Sequence, residues 1–185
     1  MVWIFFYGSK NIENIKSLLD ENHISNLFLF KKAKLIGYRR IFIGIVAAES
    51  KSLAAGGSPA SLIKDDTPGI YTTGHIVNLT RLQLSVIDKA EGVFGKDMHK
   101  NSYHKVSLPN ENFEIDDIKI PKKIKAYIKL IGINKNSLGY VTPNIKYLDA
   151  ISKTIDKKLS PKIDIFTMEN PIKKGTYLYK FNKIS

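Results

Sequence analysis

The chain contains no cysteine. That excludes disulfides, thiolate-ligated zinc and a cysteine nucleophile together, and it leaves the redox compartment open. Arginine is nearly as scarce: Arg39, Arg40 and Arg81 are the only ones, although the formal net charge is +12. Nucleic-acid surfaces use arginine heavily, for bidentate phosphate and base contacts. A charge built from lysine therefore argues against a nucleic-acid partner. The abundance of lysine, isoleucine and asparagine fits an AT-rich coding bias, with an anionic partner as the alternative. No apolar run approaches the roughly 20 residues needed to cross a bilayer. The apolar opening is too short for a signal-peptide core and has no basic region before it. The expectation is a soluble, cytoplasmic protein with no membrane partner.

Several catalytic signatures are also missing. There is no Gly-x-Ser-x-Gly elbow, no P-loop and no dinucleotide fingerprint. Gly56-Gly57-Ser58-Pro59 is rich in glycine but lacks the lysine and spacing of a phosphate cradle. His23, His75, His99 and His104 never fall at the i, i+4 spacing of a helical metal site, so they read as surface histidines.

What is present describes a single domain. At 185 residues a hydrophobic core forms without staples. Val2 to Tyr7 is apolar and aromatic and stops at Gly8, which predicts a buried strand. Ile12, Ile15, Leu18 and Leu19 predict a helix over Asn11 to Leu19. Strands are expected over Leu27 to Lys34, Tyr38 to Ala48, Ala60 to Lys64 and Ile70 to Leu79, with a loop over Glu49 to Ser58 and a turn at Asp65 to Gly69. Thr80 suits the N-cap of a helix carrying Leu82, Leu84, Val86 and Ile87 and ending near Glu91-Gly92. After a polar loop, Tyr103 to Leu108, Asn112 to Lys119 and Ile124 to Ile131 are further strand candidates. Asn144 to Ile155 places Ile145, Leu148, Ile151 and Ile155 on one helical face. Pro161 is a candidate start for another helix, and Lys173 to Ser185 reads as a short strand or tail. Strands outnumber helices and few have crossover helices between them. This predicts an α+β fold, a mostly antiparallel curved sheet or small β-barrel surrounded by α-helices.

Two places can carry chemistry. At Tyr7-Gly8-Ser9 a buried strand turns directly into a helix, where backbone N–H groups and the helix dipole suit a carboxylate. Taken alone, the tripeptide also fits a plain strand-to-helix turn. Glu91 falls at the end of an amphipathic helix, against the negative end of its dipole, a setting that favours proton uptake. Taken alone, it also fits a solvated glutamate before a helix-ending glycine.

The ordered set of motifs resembles the γ-glutamylcyclotransferase family. Tyr7-Gly8-Ser9 matches the family's opening, and Gly57-Ser58-Pro59-Ala60-Ser61 its middle. Ile87-Asp88-Lys89-Ala90-Glu91-Gly92-Val93 matches its Leu-Asp-x-x-Glu-Gly-Val signature. Tyr103, Ala126-Tyr127 and the run from Pro143 to Tyr147 follow in order. Departures are Lys10 where the family usually has asparagine, Ile87 for leucine, and longer segments over Phe94 to Ser102 and Pro109 to Lys123. The matches run from residue 3 to about 165. They imply a family domain over residues 1–168 and leave residues 169–185 as a basic C-terminal extension, packing on it or trailing from it.

The resemblance implies that a γ-glutamyl compound cyclises to 5-oxoproline and releases an amine. Glu91 would be the general base and acid. Tyr7, Gly8 and Ser9 would hold the substrate, with Tyr103, Tyr127 and Tyr147 as phenol donors or pocket walls. No metal or cofactor is required, and the protein would work as a monomer or homodimer. The alternative expectation is a non-catalytic small-ligand-binding module that retains the fold.

Overall fold

The computed structural model describes residues 1–42, 54–55, 59–93, 103–115, 121–128 and 145–152. Strand β1, Val2–Phe6, realises the aromatic opening run. Its side chains alternate between two cores: Phe5 faces one, while Ile4 and Phe6 face the other. Burial on both sides explains why the run is apolar throughout rather than alternating.

Helix α1, Ile12–Glu21, follows after a short connection and buries Ile15 and Leu19. Strands β2, Leu29–Ile36, and β3, Tyr38–Phe42, flank Gly37, whose φ of +73° suits a residue without a Cβ. Then come β4, Ala60–Lys64, and β5, Tyr71–Leu79. Helix α2, Arg81–Ala90, starts at Thr80, whose side chain accepts from the Gln83 N–H while Gln83 returns a bond to the Thr80 N–H. This reciprocal box satisfies two of the orphan donors at the helix start. Strands β6, His104–Pro109, β7, Phe113–Glu114, and β8, Lys123–Ile128, precede helix α3, Ile145–Ser152.

Six strands form one mixed sheet in the order β6-β8-β1-β5-β2-β7, curled into a half-barrel, and β3 pairs with β4 in a second small sheet. The fold is α+β, as predicted, and the pairing is mostly antiparallel. The exception is β1 beside β8, which run parallel with Phe5 opposite Ala126. Helices α1 and α2 pack on one face through Ile15, Leu19, Leu84 and Ile87. The β3–β4 pair and α3 cover the other through Ile41, Leu62, Tyr147 and Ile151.

The structure corrects several boundaries. Strand β2 begins and ends two residues later than expected, because its register on β5 pairs Leu29 with Asn78 and Ile36 with Tyr71. Asn112 belongs to a single 3-10 turn over Asn110–Asn112, and the described strand there is only Phe113–Glu114. Leu82 and Ile145 are exposed, so each helix buries a narrower stripe than its apolar residues suggested. The expected loops at 49–58 and 94–102 lie mostly or wholly outside the described residues. So do the far ends of the strands toward 48, 119 and 131, Pro143 and Asn144, His99, the Pro161 helix, and the boundary between 168 and 169 with the C-terminal extension.

Gly74 explains how β5 can lie so close to β1. A Cβ there would meet the Phe6 carbonyl oxygen at 2.2 Å and the Phe5 ring at 2.8 Å. Neither a backbone oxygen nor a fully buried ring can move aside cheaply. Gly74→Ala is expected to destabilise the fold by about 1–3 kcal/mol or more, measured by urea unfolding. An unchanged midpoint would show that β1 and β5 are free to separate.

Candidate active site

The parallel pairing of β1 and β8 brings their C-terminal ends to the same side. Tyr7 follows β1, and Tyr127 stands next to Ala126 on β8. Strand β6 pairs with β8 so that Lys105 faces Tyr127, which carries Tyr103 to the same end. The start of β4, the end of α2 and the first turn of α3 complete the ring. The cleft they enclose holds about 370 Å³ of empty space, its mouth included, and is lined by Tyr7, Gly8, Ser9, Lys10, Glu91, Tyr103, Tyr127 and Tyr147 together with Phe5, Phe6 and Ala60. All seven residues singled out in the sequence therefore meet in one cleft, and Lys10 joins them.

Glu91 is held by the way α2 ends. It is the C-cap residue, and Gly92 follows with φ +68°. The Gly92 N–H donates to the Lys89 carbonyl at 3.0 Å, and the Val93 N–H donates to the Asp88 carbonyl at 2.8 Å. This is a Schellman motif, which needs a left-handed residue after the cap and a following apolar residue to pack back on the helix. Val93 packs against the core that contains Ile87. The run Glu-Gly-Val thus has a backbone reason, and its outcome is a fixed start for the Glu91 side chain.

The opening turn differs from expectation in one respect. Strand β1 does not pass directly into α1: residues 7–11 intervene, and Asn11 caps the helix by accepting from the Asn14 N–H at 2.8 Å. Gly8 and Ser9 therefore precede the helix end rather than form it. Gly8 faces the Tyr147 hydroxyl, which a Cβ at that position would approach to 3.4 Å. A glycine keeps that strip of the cleft open.

The four tyrosines are braced through their hydroxyls. Tyr7 donates to the Tyr127 carbonyl. Tyr127 donates to Asp88 at 2.6 Å, and Lys105 pairs with the same carboxylate. The Tyr147 hydroxyl accepts from the Ala60 N–H at 2.9 Å, and Tyr103 donates to the Ala60 carbonyl at 3.3 Å. These bonds hold each phenol in place.

Lys10 has no assigned role in the sequence reading, where it figures only as a departure. In the structure its ammonium lies 2.8 Å from a Glu91 carboxylate oxygen, and both side chains are largely buried, 22% and 17% exposed. The pairing was illegible because the two residues are far apart in the chain and meet only once β1 and α2 are packed. Arg40 was also missed. It is 1% exposed and donates to the Tyr7 carbonyl at 2.8 Å and to the Thr73 carbonyl at 2.7 Å. Among the described residues no cluster of His, Asp and Glu could hold a metal ion, and no helix is long and apolar enough to cross a membrane.

No family model and no curated protein matches the chain. Solved structures do. A γ-glutamyl cyclotransferase is similar over 99% of this chain and 97% of its own, at 16% identity and TM-score 0.56. A yeast γ-glutamyl cyclotransferase specific to glutathione is similar over 95% and 99%, at 14% identity and TM-score 0.51. An uncharacterised human protein is similar over 98% and 85%, at 16% identity and TM-score 0.54. The chain shares their α+β fold.

Burial has an electrostatic consequence for the ring of phenols. It pushes the Tyr7 and Tyr103 phenols well above their ordinary value, with neighbouring tyrosines and Glu91 adding to the rise. Tyr127 is raised by burial and by Asp88, and Tyr147 is pushed up by burial to about 12. A phenol raised in the fold binds its proton more tightly than in the unfolded chain. Its stabilisation is complete below the unfolded value near 10.0 and is lost as pH climbs through the folded value. The thermal midpoint is expected to fall steeply above pH 10, with tyrosinate absorbance from these groups rising together with unfolding. Early, non-cooperative ionisation of all nine tyrosines would contradict the buried ring.

Proposed function

We propose that the protein is a γ-glutamyl cyclotransferase-type enzyme that converts a γ-glutamyl amino acid, peptide or amine to 5-oxoproline and a free amine in the cytoplasm. The observation that supports this reading most is the meeting of Glu91 with Gly8 and Ser9 in one tyrosine-walled cleft, at the shared end of β1 and β8.

The reaction makes modest demands on the protein. The nucleophile and electrophile belong to one molecule and close a five-membered ring, so proximity is largely built into the substrate. Glu91 takes a proton from the α-ammonium. The free amine adds to the γ-carbonyl carbon, and the carbonyl electrons move onto oxygen. Backbone N–H groups of the Gly8-Ser9 turn offer this oxyanion hydrogen bonds. The intermediate collapses by breaking the bond to the leaving nitrogen, which takes the proton back from Glu91; the freed carboxylate then removes the second proton from the ring nitrogen and passes it to the departing amine, so that 5-oxoproline keeps one N–H and the amine leaves as an ammonium. One carboxyl group serves as base and then acid. The braced tyrosines hold the folded substrate and keep bulk water from the reacting atoms, and Asp88 and Lys105 act through Tyr127 as positioning residues.

The test is direct. Purified protein incubated with γ-glutamyl dipeptides and γ-glutamylamines should release 5-oxoproline, followed by chromatography. Glu91→Gln should lower the rate by about 10²–10⁴-fold, the usual contribution of a positioned acid–base group, with its thermal midpoint preserved. Full activity in Glu91→Gln would remove Glu91 from the mechanism. Ligand-dependent thermal stabilisation with no product would favour a binding module.

A further inference from the structure

We propose that Lys10 is a substrate-binding residue that leaves Glu91 when substrate enters and pairs instead with the α-carboxylate of the γ-glutamyl group. This inference rests on the cyclotransferase reading and names the part of the substrate that the cleft selects.

The argument starts from the ion pair. The Lys10 ammonium sits 2.8 Å from Glu91 Oε1, within the cleft. For Glu91 to accept the reacting proton, the substrate ammonium must occupy a hydrogen-bonding position on this same carboxylate. The two ammonium groups then compete for the carboxylate and repel one another. Lysine can yield, because its cation is a point charge on a flexible stem.

It does not have far to go. In a γ-glutamyl compound the reacting amine and a carboxylate share the α-carbon. Docking the amine on Glu91 therefore sets that carboxylate beside Glu91, where the negative charges would repel, unless the displaced Lys10 pairs with it. The two adjacent opposite charges of the cleft thus match, with signs reversed, the two adjacent charges of an α-amino-acid head group. The carboxylate of a leaving amino acid lies beyond the scissile amide, several bonds further from the amine. It is poorly placed to reach a cation that starts in contact with Glu91.

The closing experiment compares γ-L-glutamyl-L-alanine with 4-aminobutanoyl-L-alanine. The second compound keeps the amine, the carbonyl and the leaving group but lacks the α-carboxylate, and its cyclisation gives 2-pyrrolidinone. The native protein should prefer the first by kcat/KM. Lys10→Met should cut that preference by roughly 10- to 100-fold, the size expected for one charge-assisted hydrogen bond. Lys10→Arg, which keeps a cation but releases Glu91 less readily, should retain more of it than Lys10→Met. Folding of each variant is checked by its thermal midpoint. An unchanged preference in Lys10→Met, or equal losses for both compounds, would overturn the assignment. If the native protein cyclises neither compound, the cyclotransferase reading fails and calorimetric binding of the same pair decides about Lys10. Tighter binding of the γ-glutamyl compound that Lys10→Met abolishes sustains the assignment, and its absence sinks it.

Discussion

A buried guanidinium sits where the two sheets meet. Arg40 lies on β3, in the smaller sheet, and reaches across to the carbonyl of Tyr7 after β1 and the carbonyl of Thr73 on β5. A charge this far from water persists only if hydrogen bonds replace its hydration. The requirement works in both directions, because the carbonyl of Tyr7 must present itself to Arg40. That aims the Tyr7-Gly8-Ser9 turn, and with it the first wall of the cleft. A packing constraint in the core therefore fixes the backbone from which the site is built.

The same logic runs through the tyrosines. Each of the four tyrosine hydroxyls at the cleft is engaged by a backbone group or by Asp88. Amphipathic aromatic rings supply contact area while their polar tips find partners. Asp88 combines two tasks. Its carbonyl closes the Schellman motif that seats Glu91, and its carboxylate gathers Tyr127 and Lys105. A disturbance at Asp88 would therefore reach Glu91 through the backbone and Tyr127 through the side chain.

The parts of this arrangement that local chemistry dictates were readable in the chain. Thr80 and Gln83 are close in sequence, so their capping box could be inferred, and Gly92 announced the end of α2. Tyr7, Gly8, Ser9, Glu91, Tyr103, Tyr127 and Tyr147 were gathered by their order as motifs, although nothing local says that they meet. What escaped depends on pairing across the chain. The parallel contact of β1 with β8 has no signature in either strand. Arg40 stands beside Arg39 in a strand with apolar ends, and nothing local tells the two apart. In the structure Arg39 pairs with half-buried Asp65, while Arg40 is fully enclosed. Strand alternation separates the two to opposite faces, but only the sheet topology decides which face is inside.

Lys10 illustrates how a residue outside every recognised motif can carry meaning. A carboxylate largely removed from water needs a partner, and a lysine three residues after Tyr7 provides one. An arginine there would grip the carboxylate through two parallel N–H bonds and release it reluctantly. A neutral amide would leave the charge of Glu91 less compensated. Lysine lies between these limits: it neutralises Glu91 at rest and has a stem flexible enough to move aside. The pair also holds each side chain near one geometry before ligand arrives, which lowers the conformational entropy lost on binding. Among the described residues that line the cleft, Lys10 and Glu91 are the charged side chains, and the fold sets one against the other.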